Sequence, residues 1–451
     1  MAATKPPKLQ TLPPLPIERL TRPFAMFAKQ ASAGGIVLLA CAVIAMVWAN
    51  SPLGDYYFRL WATPVEVRFG NLVDIDKPLL LWINDGLMAV FFFLVGMEIK
   101  RELLVGELSS LRKAALSMVA ALGGMVMPAL IYVALNWGTP EIRGWGVPMA
   151  TDIAFALGAL ALLGARAPLA LKVFLTALAI ADDLGAVLVI ALFYTENLKT
   201  DALLYSLLFW GGMIAMNRLG VRSALVYFIV SLGMWFFMLK SGVHATVAGV
   251  LGAFAIPVRS RIDPELFLVR VREYLNQFDQ PTAERTIILS PEQQSAVEAI
   301  EREALRVQSP LQRLEHRLHY FVAFGVMPIF ALANAGVTLG GENGMNWTSR
   351  VIWGVVLGLL IGKPLGITLF SWLAVKLGLA QLPRGINFVH IAGVGFLAGI
   401  GFTMALFIAG LAFTGDALNY AKLGILSGSA LAGVIGFTIL RMWTKPQPGV
   451  E

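Results

Sequence analysis

The feature that most constrains this chain is the recurrence of apolar runs of about twenty residues, the length an α-helix needs to cross a hydrocarbon layer about 30 Å thick. Hydrophobic residues make up 57% of the 451 and charged residues only 14%, more grease than a soluble core can hide. Water is absent from the bilayer core, so each crossing segment must satisfy its own backbone hydrogen bonds. The fold class is therefore an all-α polytopic membrane protein.

Apolar segments bounded by charges or by Gly/Pro turns give twelve spans, at roughly 31–50, 78–99, 114–136, 144–163, 168–194, 202–217, 221–239, 242–258, 318–337, 351–375, 387–412 and 420–440. An even number places both termini on one side. With the N-terminus inside, the inner segments and adjoining span ends carry 26 Lys and Arg and the outer ones 8, leaving over Lys363, which lies within a span rather than beside one. The positive-inside rule then makes both termini cytoplasmic. It also accounts for the net charge of +7 without a nucleic-acid partner.

The chain divides accordingly. Residues 1–22, MAATKPPKLQTLPPLPIERLTR, are basic and proline-rich and read as a disordered cytoplasmic tail rather than a secretory signal. Residues 23–258 hold spans one to eight, with PVEVRFGNLVDID at about 64–76 predicting a small outer-face β-hairpin. Residues 259–317 form a charged cytoplasmic loop, in which SPEQQSAVEAIEREALRVQ carries a Ser-Pro helix start. Residues 318–440 hold spans nine to twelve, and 441–451 a second cytoplasmic tail. The lone cysteine, Cys41, excludes an internal disulfide and argues against cysteine-based metal or redox chemistry. No cofactor is expected.

An ionised side chain at the centre of a bilayer helix costs about 2.5–3.5 kcal/mol on insertion scales, so such residues mark function. The centres of spans four, five and ten coincide with Thr151 and Asp152, with Asp182 and Asp183, and with Lys363. A structural salt bridge between Lys363 and one aspartate leaves two carboxylates unexplained. Neutralising those requires bound cations or protons. Neighbouring residues on a helix project about 100° apart, so one of Asp182 and Asp183 can face an ion cavity while the other reaches a different helix. Hard oxygen ligands suit Na⁺ or Li⁺, with Thr151 and freed backbone carbonyls supplementing the carboxylates.

Freed carbonyls need a broken helix. Pro148 precedes Thr151 in span four, and span eleven carries Gly393, Gly395, Gly399 and Gly401 about its centre. Helix breaks are expected at Pro148 and at Gly399 and Gly401, although glycines in membrane helices also serve close packing. Spans four and eleven cross in opposite directions. Spans three to five and ten to twelve then form an inverted repeat, and paired interrupted segments point to a transporter's binding site.

The strings VPMATDIAFALGALALLG, LTALAIADDLGAVLVIALFYT, LKSGVHATVAGV, QRLEHRLH, FALANAGV, GLLIGKPLGI and GIGFTMALFIAGLAF resemble the NhaA family of bacterial sodium/proton antiporters. That family is itself an example of inverted repeats, and the resemblance covers residues of about 30 to 440. It implies an inner-membrane antiporter that exports Na⁺ or Li⁺ electrogenically for inward H⁺. It also implies that Asp182 and Asp183 form the cation and proton site, with Asp152, beside the broken helices, and Thr151 as further cation- and proton-binding candidates. Lys363 would pair with the first aspartate and is a candidate carrier of a second proton. The resemblance further places Glu98, Arg101, Glu102, Glu315, His316 and His319 at a cytoplasmic pH-sensing funnel, links His244 to the pH response, and makes the hairpin a homodimer contact. Imidazole titrates where cytoplasmic pH varies; the plainer alternative for each is a solvated interfacial charge. Gln312 and Tyr320 depart from the family pattern, as do the long tail and the extended loop, which bears on the pH profile.

Other classes fit less well. An intramembrane aspartyl protease needs its two carboxylates on separate helices, and here Asp182 and Asp183 are adjacent. A retinal-binding pump needs its lysine on a seven-helix plan. A sodium-coupled symporter is opposed only by the family resemblance.

Overall fold

A computed structural model describes residues 33–70, 73–195, 197–279, 289–339 and 347–444. The tail at 1–22 and most of the tail at 441–451 lie outside the described residues. Helix α1, Ala33–Ala49, turns by 113° into α2, Gly54–Ala62, whose Tyr57 hydroxyl donates to Leu332 O at 2.8 Å and accepts from Gly336 N at 3.1 Å. Strands β1, Pro64–Phe69, and β2, Val73–Pro78, form an antiparallel hairpin in register from Pro64 opposite Pro78 to Arg68 opposite Asp74. The hairpin is thus two residues longer at its base than the sequence pattern implied.

The long helices follow: α3, Leu79–Val105; α4, Leu111–Leu135; then a 3₁₀ segment, Pro140–Met149, leading to α5, Ile153–Ala161; and α6, Leu169–Phe193. Next come α7, Thr200–Arg218, α8, Ala224–Ser241, and the ten-residue α9, Thr246–Ala255. The charged loop holds two helices, α10, Pro264–Phe278, and α11, Pro291–Val307. Each begins at a proline, which needs no N–H at that position, and Ser290 closes a capping box with Gln293 before α11. The chain ends in α12, Pro310–Asn334; α13, Arg350–Lys376; α14, Phe388–Ala398; α15, Phe402–Ala412; and α16, Gly415–Trp443.

Among the described residues eight helices are long and apolar enough to cross a membrane, or ten if each of two sharply bent pairs is one span. The other two segments read as spans coincide with α7 and with α9, which is too short to cross unaided. Leucines and valines such as Leu39, Val43, Leu188, Leu192, Leu204 and Leu208 lie exposed on the outside of the bundle, as a hydrocarbon solvent requires. The chain is a multi-pass membrane protein.

Small residues set the closest crossings. A Cβ on Gly366 of α13 would come 2.1 Å from Gly123 O of α4, and one on Gly249 of α9 would come 2.3 Å from Ala89 O of α3. Backbones that approach this closely hold helices together where hydrophobicity between them is no help. Gly124 of α4 lies beside the Lys363 side chain, its added Cβ 3.6 Å from Lys363 Cε, so the α4–α13 crossing also positions the buried amine.

Candidate functional site

Two interrupted segments meet at the centre of the bundle. After Met149 the chain is extended at Ala150 and Asp152 (ψ 148° and 98°) before α5 begins. Helix α14 stops at Ala398 and α15 starts at Phe402, with a 50° bend between them. The segments are joined by one backbone bond, Asp152 N to Ile400 O at 2.7 Å. Glycine is required where they cross: a Cβ on Gly399 would lie 2.5 Å from Leu359 O of α13, and one on Gly401 3.0 Å from Ala150 O. Gly395 has a packing role, its added Cβ meeting Pro364 Cα at 2.8 Å. Pro148 lies inside the 3₁₀ segment, next to its last residue Met149, and packs against Gly358, so the break expected at Pro148 falls two residues on, at Ala150–Asp152.

Breaking helices exposes their ends, and charged side chains answer both kinds. The Asp152 carboxylate, 1% exposed, sits at two helix N-termini at once. Its Oδ1 accepts from Phe155 N at 3.1 Å, and its Oδ2 accepts from Thr403 N at 3.1 Å and from the Thr403 hydroxyl. Three donors therefore occupy it, and it bridges α5 to α15. Lys363, wholly buried, donates to Met149 O, the last residue of the 3₁₀ segment. It follows a π-turn, Gly358–Gly362, and precedes Pro364, which has no N–H to give.

The same Lys363 Nζ lies 2.6 Å from Asp182 Oδ2. Thr151 Oγ1 lies 2.7 Å from that oxygen and 2.9 Å from Ala398 O. A hydroxyl has one proton, so Thr151 can satisfy only one of these two acceptors at a time. Asp182 Oδ1 is buried with no hydrogen-bond partner. Asp183, 3% exposed, makes no hydrogen bond or ion pair among the described residues. The site thus offers one carboxylate oxygen held by Lys363 and Thr151, one orphaned carboxylate oxygen, a second unpartnered carboxylate, and a hydroxyl able to turn its lone pair inward. That is an oxygen-rich cradle for a small hard cation, and equally a set of proton acceptors.

The residues expected in a pH-sensing group divide between two places. Arg101 of α3 pairs with Glu315 of α12 at 2.5 Å and with Glu102 at 3.2 Å, near His316 and His319, which flank Tyr320 at ring separations of 5.9 and 6.1 Å. Glu98 lies one turn back on α3. His244 is elsewhere: it precedes α9, with Nδ1 2.8 Å from Thr246 Oγ1, Nε2 3.4 Å from Asp85 Oδ1, and its ring against Phe407 of α15. Asp85 also pairs with Lys77 of the hairpin at 2.7 Å. Thirteen residues of α3, roughly 20 Å, separate Asp85 from Glu98. Asp85 and Thr403 escaped sequence reading. Asp85 lies near the end of its span, where a charge is unremarkable, and the signal for Thr403 was its place just after Gly-Ile-Gly, at the start of the second half-helix.

A family model described as Na⁺/H⁺ antiporter 1 matches residues 25–440. The chain belongs to the NhaA family of Na⁺/H⁺ antiporters. The Na⁺/H⁺ antiporter NhaA of Oleidesulfovibrio alaskensis is 52% identical over 95% of this chain and 96% of its own length. That of Sulfurimonas denitrificans is 46% identical over 95% of this chain and 97% of its own. The NhaA relatives are secondary transporters, not enzymes, and the protease reading has no support among them.

Proposed function

We propose that this protein is an electrogenic antiporter that exports Na⁺ or Li⁺ across the bacterial inner membrane in exchange for a larger number of inward protons. The observation that carries the reading is the asymmetry of Asp182: one oxygen held by Lys363 and Thr151, the other buried without a partner. A cation at Oδ1, with Asp183 and Thr151 as further ligands, competes with the Lys363 ammonium for one carboxylate and with a proton for the other. Cation binding then expels a proton from Asp183 and one from Lys363. The cation-loaded site carries one more negative charge than the proton-loaded site, so each cycle exports one cation, imports two protons and moves one positive charge inward. Asp152 holds the half-helices in register, both of its oxygens engaged by donors at the two helix N-termini.

The reading extends to topology and control. Ten spans counted together with α7 and α9 make twelve crossings, which leave both termini on one side, the cytoplasmic side by the charge bias, and the bonded breaks in spans four and eleven support an inverted repeat of spans three to five and ten to twelve. The Arg101, Glu102 and Glu315 cluster with His316 and His319 would then sit on the cytoplasmic side and His244 on the outer side, two places where pH can act on α3. Two protomers join through the β-hairpin, whose exposed edges can pair with a copy.

The test uses everted membrane vesicles with an acidified lumen and a pH-sensitive dye. Adding Na⁺ or Li⁺ discharges the gradient, and Asp182→Asn or Asp183→Asn abolishes the response. Wild-type vesicles that held their gradient at every pH from about 6.5 to 9, around the range in which histidines titrate, would refute antiport.

A further inference from the structure

Helices α1, α5 and α16 do not close on one another. Between them runs a lateral groove of about 580 Å³, within the range of small-ligand pockets, roughly 300–1,000 Å³. Small residues make the space, Gly158 and Ala159 on α5 and Ala430 and Gly433 on α16. The floor consists of Ile400 and Phe402, on either side of Gly401, and of Ser429, whose Oγ accepts from Gly401 N at 3.2 Å. The rim is bilayer-facing surface: Val43 is 54% exposed and Val434 67%. Hydrocarbon rather than water therefore has access to it.

Beyond the lining, on α16 and just past α5, lie two arginines. Arg441 follows Val434 by seven residues and so continues the same face of α16. Arg166, four residues beyond Leu162 of the lining, donates from Nη1 to Arg441 O at 3.2 Å, which fixes the two side by side. Both side chains are exposed, and neither forms an ion pair among the described residues. On the topology proposed above they lie at the cytoplasmic headgroup level. From Arg441 to Leu426, the far lining residue on α16, is fifteen residues, roughly 22 Å of helix. Half of a bilayer with its headgroups is about 20–22 Å, so the groove has the depth of one leaflet.

We propose that the arginine pair and the groove together bind one anionic glycerophospholipid, its phosphate on Arg166 and Arg441 and one acyl chain lying against Ile400 and Phe402. Planar guanidinium groups suit a phosphate, and the apolar walls accept only the tail. The tail packs on the outer side of the break that carries Gly401, so anionic lipid also supports transport, a consequence that rests on the antiport reading.

The experiment uses the full chain reconstituted in phosphatidylcholine vesicles with or without phosphatidylglycerol, re-extracted in detergent, with retained lipid counted by mass spectrometry. Wild type keeps one phosphatidylglycerol in preference to phosphatidylcholine. Arg166→Gln with Arg441→Gln lowers retention about tenfold or more, the loss of charge-assisted bonds of about 1.4 kcal/mol or more. Ala430→Phe, a lipid-facing change that fills the groove, lowers it comparably, and soluble glycerol phosphate fails to displace the lipid. Retention unchanged in either variant overturns the proposal. Displacement by glycerol phosphate also overturns it, since the site would then be a phosphate site without a groove. Retention is read without an ion gradient, so a failure of antiport and a failure of lipid binding are separate results.

Discussion

Thr151→Val is the sharpest perturbation of the site because it removes one hydroxyl and almost no volume. In the structure that hydroxyl lies 2.7 Å from Asp182 Oδ2 and 2.9 Å from Ala398 O, with a single proton between two acceptors. Without a cation its proton serves Asp182. On the mechanism proposed above, a cation at Asp182 Oδ1 turns the proton to Ala398 O and brings the lone pair to face the ion. Valine offers neither. A hydrogen bond to a charged group contributes about 1.5–3 kcal/mol, and each 1.4 kcal/mol is about tenfold in an equilibrium constant. The KM for Na⁺ in everted vesicles at fixed pH is therefore expected to rise about ten- to a hundredfold, with the protein still inserted in the membrane. Thr151→Ser keeps the hydroxyl and is expected to stay within about threefold of wild type, roughly 0.6 kcal/mol. A valine variant with wild-type KM would show that Thr151 does not touch the ion and would refute the switching role.

Gly399→Ala forces a Cβ to within 2.5 Å of Leu359 O, and overpacking of this kind typically costs about 1–3 kcal/mol; transport is expected to fall about tenfold or more at unchanged membrane content, while Gly410→Ala, with nothing within 4 Å of the new Cβ, leaves the rate unaltered. Glu303 of α11 is tied to Arg270 at 3.0 Å and Arg306 at 2.6 Å. Burial pushes its carboxyl up, but the two guanidinium groups hold it below the ordinary glutamate range, so the stability it lends to the α10–α11 pair is present above about pH 4.3 and is lost as pH falls through the depressed value. A fluorescence pair across α10 and α11 is expected to separate only on that acidic limb, and a separation between pH 6 and 8 would contradict the assignment. Deleting residues 66–75, which leaves Val65 to accept from Trp82 and Lys77 to pair with Asp85, is expected to give a monomer by light scattering; a persistent dimer would remove the hairpin from the interface.

What could be read from the chain was whatever depth and periodicity encode. The apolar runs located the membrane helices, the alternation in PVEVRF and VDID located the two hairpin strands, and the centres of three spans brought Asp152, Asp182, Asp183 and Lys363 to one level. Hydrogen-bond closure was not legible. Pro148 announces an interruption but not that the ten residues around it, Pro140–Met149, wind as a 3₁₀ helix, because propensity does not distinguish the two ladders. Adjacency put Asp182 and Asp183 100° apart but did not say which meets Lys363; in the folded chain it is Asp182, whose Oδ2 lies 2.6 Å from Lys363 Nζ. Thr403 looks like any polar residue in an apolar run until Asp152 is found bonding both its amide and its hydroxyl.

The Asp182–Lys363 pair is a poor device for stability alone. Taking two charges out of water costs several kcal/mol per ion, and replacing a buried pair by well-packed apolar residues is often neutral or stabilising. Asp152 differs, since its three donors at two helix N-termini engage both of its oxygens. Asp182 is held on one oxygen and idle on the other, with Asp183 beside it unpartnered. A fold seeking rigidity would have completed both carboxylates as it completed Asp152. The incomplete one lies where Lys363 and Thr151 can each let go, and a site that must bind and release two kinds of ion needs partners of that kind.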